Sequence, residues 1–359
     1  MSSNFKSVAL PHAEAIRSSN SYRVAIVGAG SLKGKEVAEV LNDRNFPSLD
    51  VKLLDDDESL GKLEAMKDEV TFIQSVRPEQ FDNIDFTFFA SEPEAARANW
   101  KAARKAGSDI IDLSFGLEDE PGVTVRSPWV ERQLKLPFTP GLQPAPAVIA
   151  HPAAVVLALI VLRAQSAGEL KHAAATVFAP ASEHGQKGMD ELHEQTINLL
   201  SFQPLPTAVF DVQVAFNMVA RYGAQSARPL SGVRERILKH YRQIVGKHAL
   251  APSLFVLQAP IFHGHAFAVH IQTGTVVDIA KITAALSGDH FTITGSTDEA
   301  PSNVNVAGQA SVLVSIVPDE NDKSSYWLWA ASDNLRIAAI TAVECAESMT
   351  AARPRGKIQ

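Results

Sequence analysis

Cysteine is nearly absent from this chain of 359 residues. The single thiol, Cys345, cannot form an intrachain disulfide, and Cys-based zinc fingers are excluded with it. Long apolar runs are missing as well. The longest, Pro152 to Leu162, falls far short of the roughly 20 residues that a membrane-spanning helix needs. Basic residues are outnumbered, 33 Lys and Arg against 40 Asp and Glu, for a formal net charge of −7. That balance argues against a nucleic-acid or anionic-membrane surface, both of which need clustered Lys and Arg. Gly and Pro, at 20 each, are too few for collagen-like or low-complexity sequence. What remains is a chain that is 46% hydrophobic and long enough for two domains whose cores need no disulfide or structural metal. Residues 1–21 are Ser-rich and hold no apolar stretch of a secretory signal. They read as a flexible leader, and the cytoplasm is the expected compartment.

Regular structure is expected from residue 22. Val24 to Val27 is continuously apolar, as in a strand buried on both faces of a parallel sheet. Glycines and Ser31 then turn the chain into a helix whose Val37, Val40 and Leu41 share one side. Strands over 51–54, 85–90 and 109–113 alternate with a helix over 93–106, whose proline stands near its start. This alternation predicts an α/β fold, a Rossmann-like doubly wound parallel sheet. A Pro/Gly linker over 136–141 separates it from a long apolar helix starting at His151-Pro152. Beyond that helix, strands over 173–178, 255–258, 267–272, 291–294 and 311–317 are interrupted by helices over 188–199 and 233–245, an α+β pattern. A last helix over 333–350 is expected to pack back on the first domain. The expected division is 22–148 with 333–359, and 149–332 for substrate and dimer contacts.

The segment VAIVGAGSLKG places glycines at 28, 30 and 34, with Lys33 where a G-x-G-x-x-G turn has its third glycine. Gly28 suits a tight turn, and Gly34 allows close helix-on-strand packing. The N–H groups at the helix start would face a pyrophosphate. Two readings stand: a working nucleotide site, or a turn that keeps its shape and binds nothing. Asp55, Asp56 and Asp57 end the second strand. A carboxylate there accepts hydrogen bonds from an adenosine ribose and repels a 2′-phosphate, which favours NAD over NADP. The alternative is a solvated acidic loop.

VAIVGAGSLKG, the Asp112-Leu113-Ser114 strand end, VIAHPAAVVLAL, PIFHGHAFAV and SDNLRIAA together resemble the aspartate-semialdehyde dehydrogenases, from about Tyr22 to Met349. The resemblance implies a Rossmann domain, an α+β substrate and dimerisation domain, and a homodimer. It also implies reductive dephosphorylation of an aspartyl phosphate through a cysteine thioester with NADPH. The expected cofactor contacts are Gly28, Gly30, Ser31, Gly34, Asp55 and Asn334, although the family reads the NADP phosphate with Ser and Arg where Asp55–Asp57 stand; the resemblance implies a substrate contact at Arg236. It keeps the acid/base position as His265.

The reacting centre departs from the pattern. The nucleophile position in His151-Pro152-Ala153-Ala154 is Ala154, and alanine cannot form an acyl-enzyme. Ala179 stands where the resemblance places a glutamine. Gln258 stands where it places the substrate-binding arginine, seven residues before His265. Glu118 replaces a phosphate-contacting arginine. The expectation is a semialdehyde-dehydrogenase-like protein without thiol-dependent activity, still binding NAD or NADP or a small anionic metabolite. The alternative is an active oxidoreductase, or a His- or metal-dependent enzyme, with repurposed chemistry on a related carbonyl or acyl substrate. A purely structural role in a dimer would predict no cofactor at all. His151, His184, His263 and His265 with Glu183 nearby are compatible with a metal ion without demanding one, and no metal ligand is assigned. Ser114 and Ser182 lie outside the G-x-S-x-G elbow of an activated serine.

Overall fold

The computed structural model describes residues 21–56, 63–66, 69–136, 138 and 144–352. The leader assigned to 1–21, except Ser21, lies outside the described residues. So do Asp57 and, apart from Leu136 and Phe138, the 136–141 linker.

The first half contains β1 (Tyr22–Val27), α1 (Leu32–Asp43), β2 (Ser48–Asp55), β3 (Leu63–Met66), β4 (Glu69–Phe72), β5 (Gln74–Ser75), β6 (Phe86–Phe89), α2 (Pro93–Lys105), β7 (Asp109–Asp112), β8 (Thr124–Arg126), α3 (Pro128–Gln133) and β9 (Ala147–Ile149). A seven-stranded sheet runs β5-β2-β1-β6-β7-β9-β8, with every ladder parallel. β3 and β4 form a separate antiparallel pair. Ile26 stands level with Leu53 on one side and Phe88 on the other, and all three are buried. Helices cover both faces of such a sheet, so a short unbroken apolar run satisfies it without alternation.

The second half contains α4 (Pro152–Ala167), β10 (Leu170–Ala179), α5 (Gly185–Leu200), α6 (Leu230–Val245), β11 (Ser253–Gln258), β12 (His265–Thr273), α7 (Ile279–Leu286), β13 (Phe291–Ile293), β14 (Val312–Pro318), β15 (Ser325–Ser332) and α8 (Asn334–Ala352). Its mixed sheet runs β11-β10-β12-β15-β14-β13. Alternation along these strands sorts residues to two faces. Val177, Phe267, Val269, Ile271 and Leu328 are buried on one face. Phe255, Val317, Trp327 and Trp329 remain exposed on the other. α8 returns to the first domain, where Arg336 ion-pairs with Glu36, Glu39 and Asp43 of α1. On the same helix Cys345 is fully buried, its Sγ 3.3 Å from Arg126 Nη1, and burial pushes the thiol up to about 12. Among the described residues no helix is long and apolar enough to cross a membrane.

The structure differs from the sequence reading in several elements. α5 and α6 each begin three residues earlier than their apolar periodicity indicates. Their polar first turns carry no periodic signal. β15 carries no sequence signal of period 2, because Trp327 and Trp329 point outward opposite Tyr326 and Leu328 and leave no polar–apolar contrast. β5, β8, β9, α3 and α7 are short, and short elements take their structure from neighbours rather than from local pattern.

Candidate active site

The glycine turn leaves β1 and enters α1. Gly28 has φ +88°, and a Cβ on it would stand 2.3 Å from the Ser91 Cβ, so both backbone and space require glycine. A Cβ on Gly34 would stand 2.0 Å from the Gly28 carbonyl oxygen. Ser31 caps α1 by accepting from Gly34 N–H, and its hydroxyl donates to the Ala90 carbonyl at 2.9 Å. Asp55 Oδ2 accepts from Gly30 N–H at 2.7 Å, and Asp55 Oδ1 accepts from Asp56 N–H at 2.9 Å. The second strand's carboxylate is therefore latched to the turn, with lone pairs left for a further donor. Both face a cleft of about 610 Å³ that extends past Phe115 to Glu183, Arg228 and Arg236.

These residues fit a dinucleotide. A turn built for close backbone approach, the N-terminus of a 12-residue helix, and a carboxylate at the ribose position all meet in one cavity. Gly28, Gly34 and Ser31 would shape the turn, α1 would face the pyrophosphate, and Asp55 would meet the ribose. When bound, such a group supplies hydride chemistry.

The other end of the cleft is built around α4. Ala154, where the family resemblance places the nucleophile, is fully buried in its first turn. The N-cap is His151, whose Nδ1 accepts from Ala153 N–H at 3.2 Å. A nitrogen that accepts carries no proton, so in the neutral ring the proton sits on Nε2. That N–H donates to Glu183 Oε2 at 3.2 Å. The other carboxylate oxygen, Oε1, lies 2.9 Å from Nε2 of the fully buried His265, outside the alignment of a hydrogen bond. Among the described residues His265 Nδ1 has no partner either. Burial pushes the His151 pKa down against the pull of Glu183, which keeps the ring neutral. Burial alone would raise the Glu183 carboxyl, but His151 and His265 hold it well below its usual range.

A second carboxylate–imidazole unit backs the first. His240 Nδ1 accepts from His151 N–H at 3.0 Å, and His240 Nε2 meets Glu118 Oε2 at 3.0 Å. Glu118 also pairs with Arg236 at 3.0–3.1 Å. Burial opposes ionisation of Glu118, yet the hydrogen bonds from His240 and Arg236 lower it to about 2. Arg236, the expected substrate contact, is thus already engaged. Phe115, in the left-handed region at φ +63°, stacks 5.7 Å from the His151 ring. Lys33 and Arg236 lie over its ring at 4.6 and 5.0 Å.

The remaining expected residues lie elsewhere. Gln258 is fully buried, accepting from Tyr222 Oη at 2.7 Å and donating to the Ala259 carbonyl at 2.8 Å. His184 Nε2 joins the same tyrosine at 3.1 Å. Ala179 is buried at the end of β10. Asn334 Oδ1 accepts from Gly264 N–H at 3.1 Å and the side chain bonds Ser182 Oγ, so Ser182 faces Asn334 rather than His265. Ser114 Oγ donates to Asp112 at 2.5 Å. His263 pairs with Asp333 at 2.7 Å. Of the four histidines expected at one cleft, only His151 and His265 meet on Glu183. Among the described residues no group of three or more His, Cys, Asp and Glu side chains is placed to hold a metal ion. Lys33, Phe115 and His240 join the site without a motif in the sequence that assigns them to it. Lys33 gave a signal by interrupting the glycine pattern, whereas the left-handed Phe115 gave none.

Comparison with known proteins agrees with this geometry. Residues 23–136 match the semialdehyde dehydrogenase NAD binding domain, and residues 159–337 match the semialdehyde dehydrogenase dimerisation domain. A USG-1 protein homolog of Pseudomonas aeruginosa is 30% identical over 332 residues, spanning 89% of this chain and 95% of that protein. The aspartate-semialdehyde dehydrogenase of Rickettsia conorii is 28% identical over 335 residues, spanning 91% and 97%. The solved structure of a probable aspartate-semialdehyde dehydrogenase from Pseudomonas aeruginosa superposes with a TM-score of 0.80 at 29% identity, covering 91% of this chain and 98% of its own. With both domains matched in order along one chain, this protein belongs to the semialdehyde dehydrogenase family.

Proposed function

We propose that this protein is a homodimeric, dinucleotide-binding member of its family that has lost the thiol-dependent reaction. The observation that carries the reading is Ala154, which puts a methyl group in the first turn of α4 where the acyl-forming thiol would stand. The surroundings support it. Gln258 is sequestered by Tyr222 and Ala259. Glu118 ties up Arg236, and Glu183 places a second carboxylate at the inner wall. Arg228 is paired as well, with Glu92. A small anionic metabolite would meet paired arginines and two carboxylates, so the dinucleotide is the favoured ligand. Asp55 and Asp56 favour NAD over NADP, since a 2′-phosphate would meet both charges. The exposed face carrying Phe255, Val317, Trp327 and Trp329 is the surface we assign to a second copy of this chain. It continues a sheet within the matched dimerisation domain.

Purified protein assayed with aspartate semialdehyde, phosphate and either nicotinamide cofactor should show no turnover. A rate of about 1 per second or more would overturn the reading. Calorimetric titration should show NAD binding more tightly than NADP, and the reverse order would refute the role given to Asp55 and Asp56. The unpartnered His265 Nδ1 favours one competing reading, repurposed acid/base chemistry. Turnover of a carbonyl substrate that His265→Ala abolishes would establish it.

A further inference from the structure

The cleft is asymmetric in charge along its length. Near the glycine turn, Lys33 stands in the first turn of α1 and donates to the Leu113 carbonyl at 2.8 Å. A bound pyrophosphate at the start of α1 would face that ammonium and balance it. With Asp55 meeting the adenosine ribose and α1 the pyrophosphate, the second half of a dinucleotide must extend along the remaining wall. That wall runs through Phe115 and the segment from Ser182 to Gln186.

Glu183 stands on this wall with its side chain 13% exposed. Its neighbours are His265, with Nε2 2.9 Å from Oε1, and His151, whose Nδ1 is occupied as an acceptor and whose Nε2–H donates as a neutral imidazole. The cation that feels Glu183 most is Lys33, whose charge a bound pyrophosphate would take up. His184 beside it is neutral too, its pKa pushed down to about 4 by burial. The arginines that reach the cleft are answered by Glu92 and Glu118, and Lys187 is exposed to water. A carboxylate hydrogen-bonded by the buried His151, with buried His265 against its other oxygen, has little room to swing away from whatever occupies the cleft. The oxidised nicotinamide ring is a cation and the reduced ring is neutral. A largely buried anion on the cleft wall distinguishes them by Coulomb attraction.

We infer that Glu183 makes the cleft selective for the oxidised dinucleotide, so that the protein distinguishes NAD⁺ from NADH. The inference rests on the dinucleotide reading above and adds the redox state of its ligand and the residue that selects it. It gives a protein without a nucleophile a binding output that follows the redox balance of the cofactor pool. The chemistry requires only a charge difference between two ligands of the same shape.

The test is calorimetric titration of the full-length protein with NAD⁺ and NADH separately. NAD⁺ should bind about tenfold more tightly or better. Glu183→Gln keeps the size and an acceptor for His151 but removes the charge, and should bring the two affinities within about twofold. Glu183→Asp keeps the charge and should preserve the preference. Lys33→Met should weaken both forms by the same factor, because the pyrophosphate is common to them. Equal affinities in the unaltered protein, or a preference that survives Glu183→Gln, would overturn the inference while leaving dinucleotide binding intact. Failure of both forms to bind would instead remove the dinucleotide reading itself.

Discussion

The two ends of the cleft obey different constraints. At the glycine turn, the positions are fixed by backbone. Gly28 sits at φ +88° against Ser91, and Gly34 lies where any Cβ would strike the Gly28 carbonyl. At the α4 end, the constraints are side-chain hydrogen bonds and ion pairs. Glu183 spans His151 and His265, Glu118 joins His240 to Arg236, and Gln258 turns into the core. A turn admits few substitutions before the chain path changes. A polar network can exchange its members provided every buried group finds a partner. The scaffold therefore pairs a glycine-fixed turn at one end of the cleft with a carboxylate–imidazole–arginine network at the other.

The largest test of that contrast is Gly34→Ala. The added methyl would stand 2.0 Å from a carbonyl oxygen and force the turn open. Dinucleotide affinity should fall by roughly 100-fold or more, with about 1–3 kcal/mol of stability lost to overpacking. Unchanged binding would show that the turn is not the site. Next in size is the exposed sheet face. Replacing Trp327 and Trp329 together by Ala should shift the dimer toward monomer, since central aromatic anchors contribute about 2 kcal/mol or more each. Sedimentation velocity measures the shift, and an intact dimer would place the interface elsewhere.

Acid sensitivity comes third. His184, buried beside Tyr222, has its pKa pushed down from 6.5 to about 4. The unfolded chain takes up this proton near pH 6.5 and the folded one only near pH 4. Its contribution is therefore intact above pH 6.5 and lost as the pH falls through that window. The loss should be on the order of 2–3 kcal/mol between pH 7 and 4. Denaturant titrations at both pH values should show a smaller drop for His184→Gln, and an equal drop would assign the acid sensitivity to other groups.

Two small effects complete the comparison. Ala154→Cys should give no measurable turnover, because Glu118, Gln258 and Glu183 still hold the centre in its altered network. Appearance of activity from that single change would show the inner end to be competent. Cys345, with its thiol pushed up to about 12, should resist alkylation at neutral pH in the folded protein and react only on denaturation.

Much of the scaffold is readable in sequence because it rests on local rules. The VAIV run, the glycines after it and the stripe of Val37, Val40 and Leu41 specify a buried strand, a tight turn and an amphipathic helix without reference to the rest of the chain. For the site, the sequence supplies only the resemblance-based expectations at Ala154, Gln258 and Glu118. The network around them was not legible. The meeting of His151 and His265 on Glu183 joins the start of α4, the segment before α5 and the start of β12. His184 and His263 carry the same residue type and go to Tyr222 and Asp333 instead. No spacing rule separates these outcomes.

Sequence by itself determined the main strand–helix alternation of the first domain, the glycine-only turn, the acidic end of β2 and the alanine at 154. Each depends on intrinsic conformational preference, apolar periodicity or the identity of one side chain. Only the tertiary structure decided that Glu183 and Glu118 are charged, that His151 is neutral with its proton on Nε2, that Gln258 faces the core, and that Trp327 and Trp329 remain uncovered. Protonation and exposure depend on which distant groups surround a side chain and exclude water from it, and folding alone sets those neighbours.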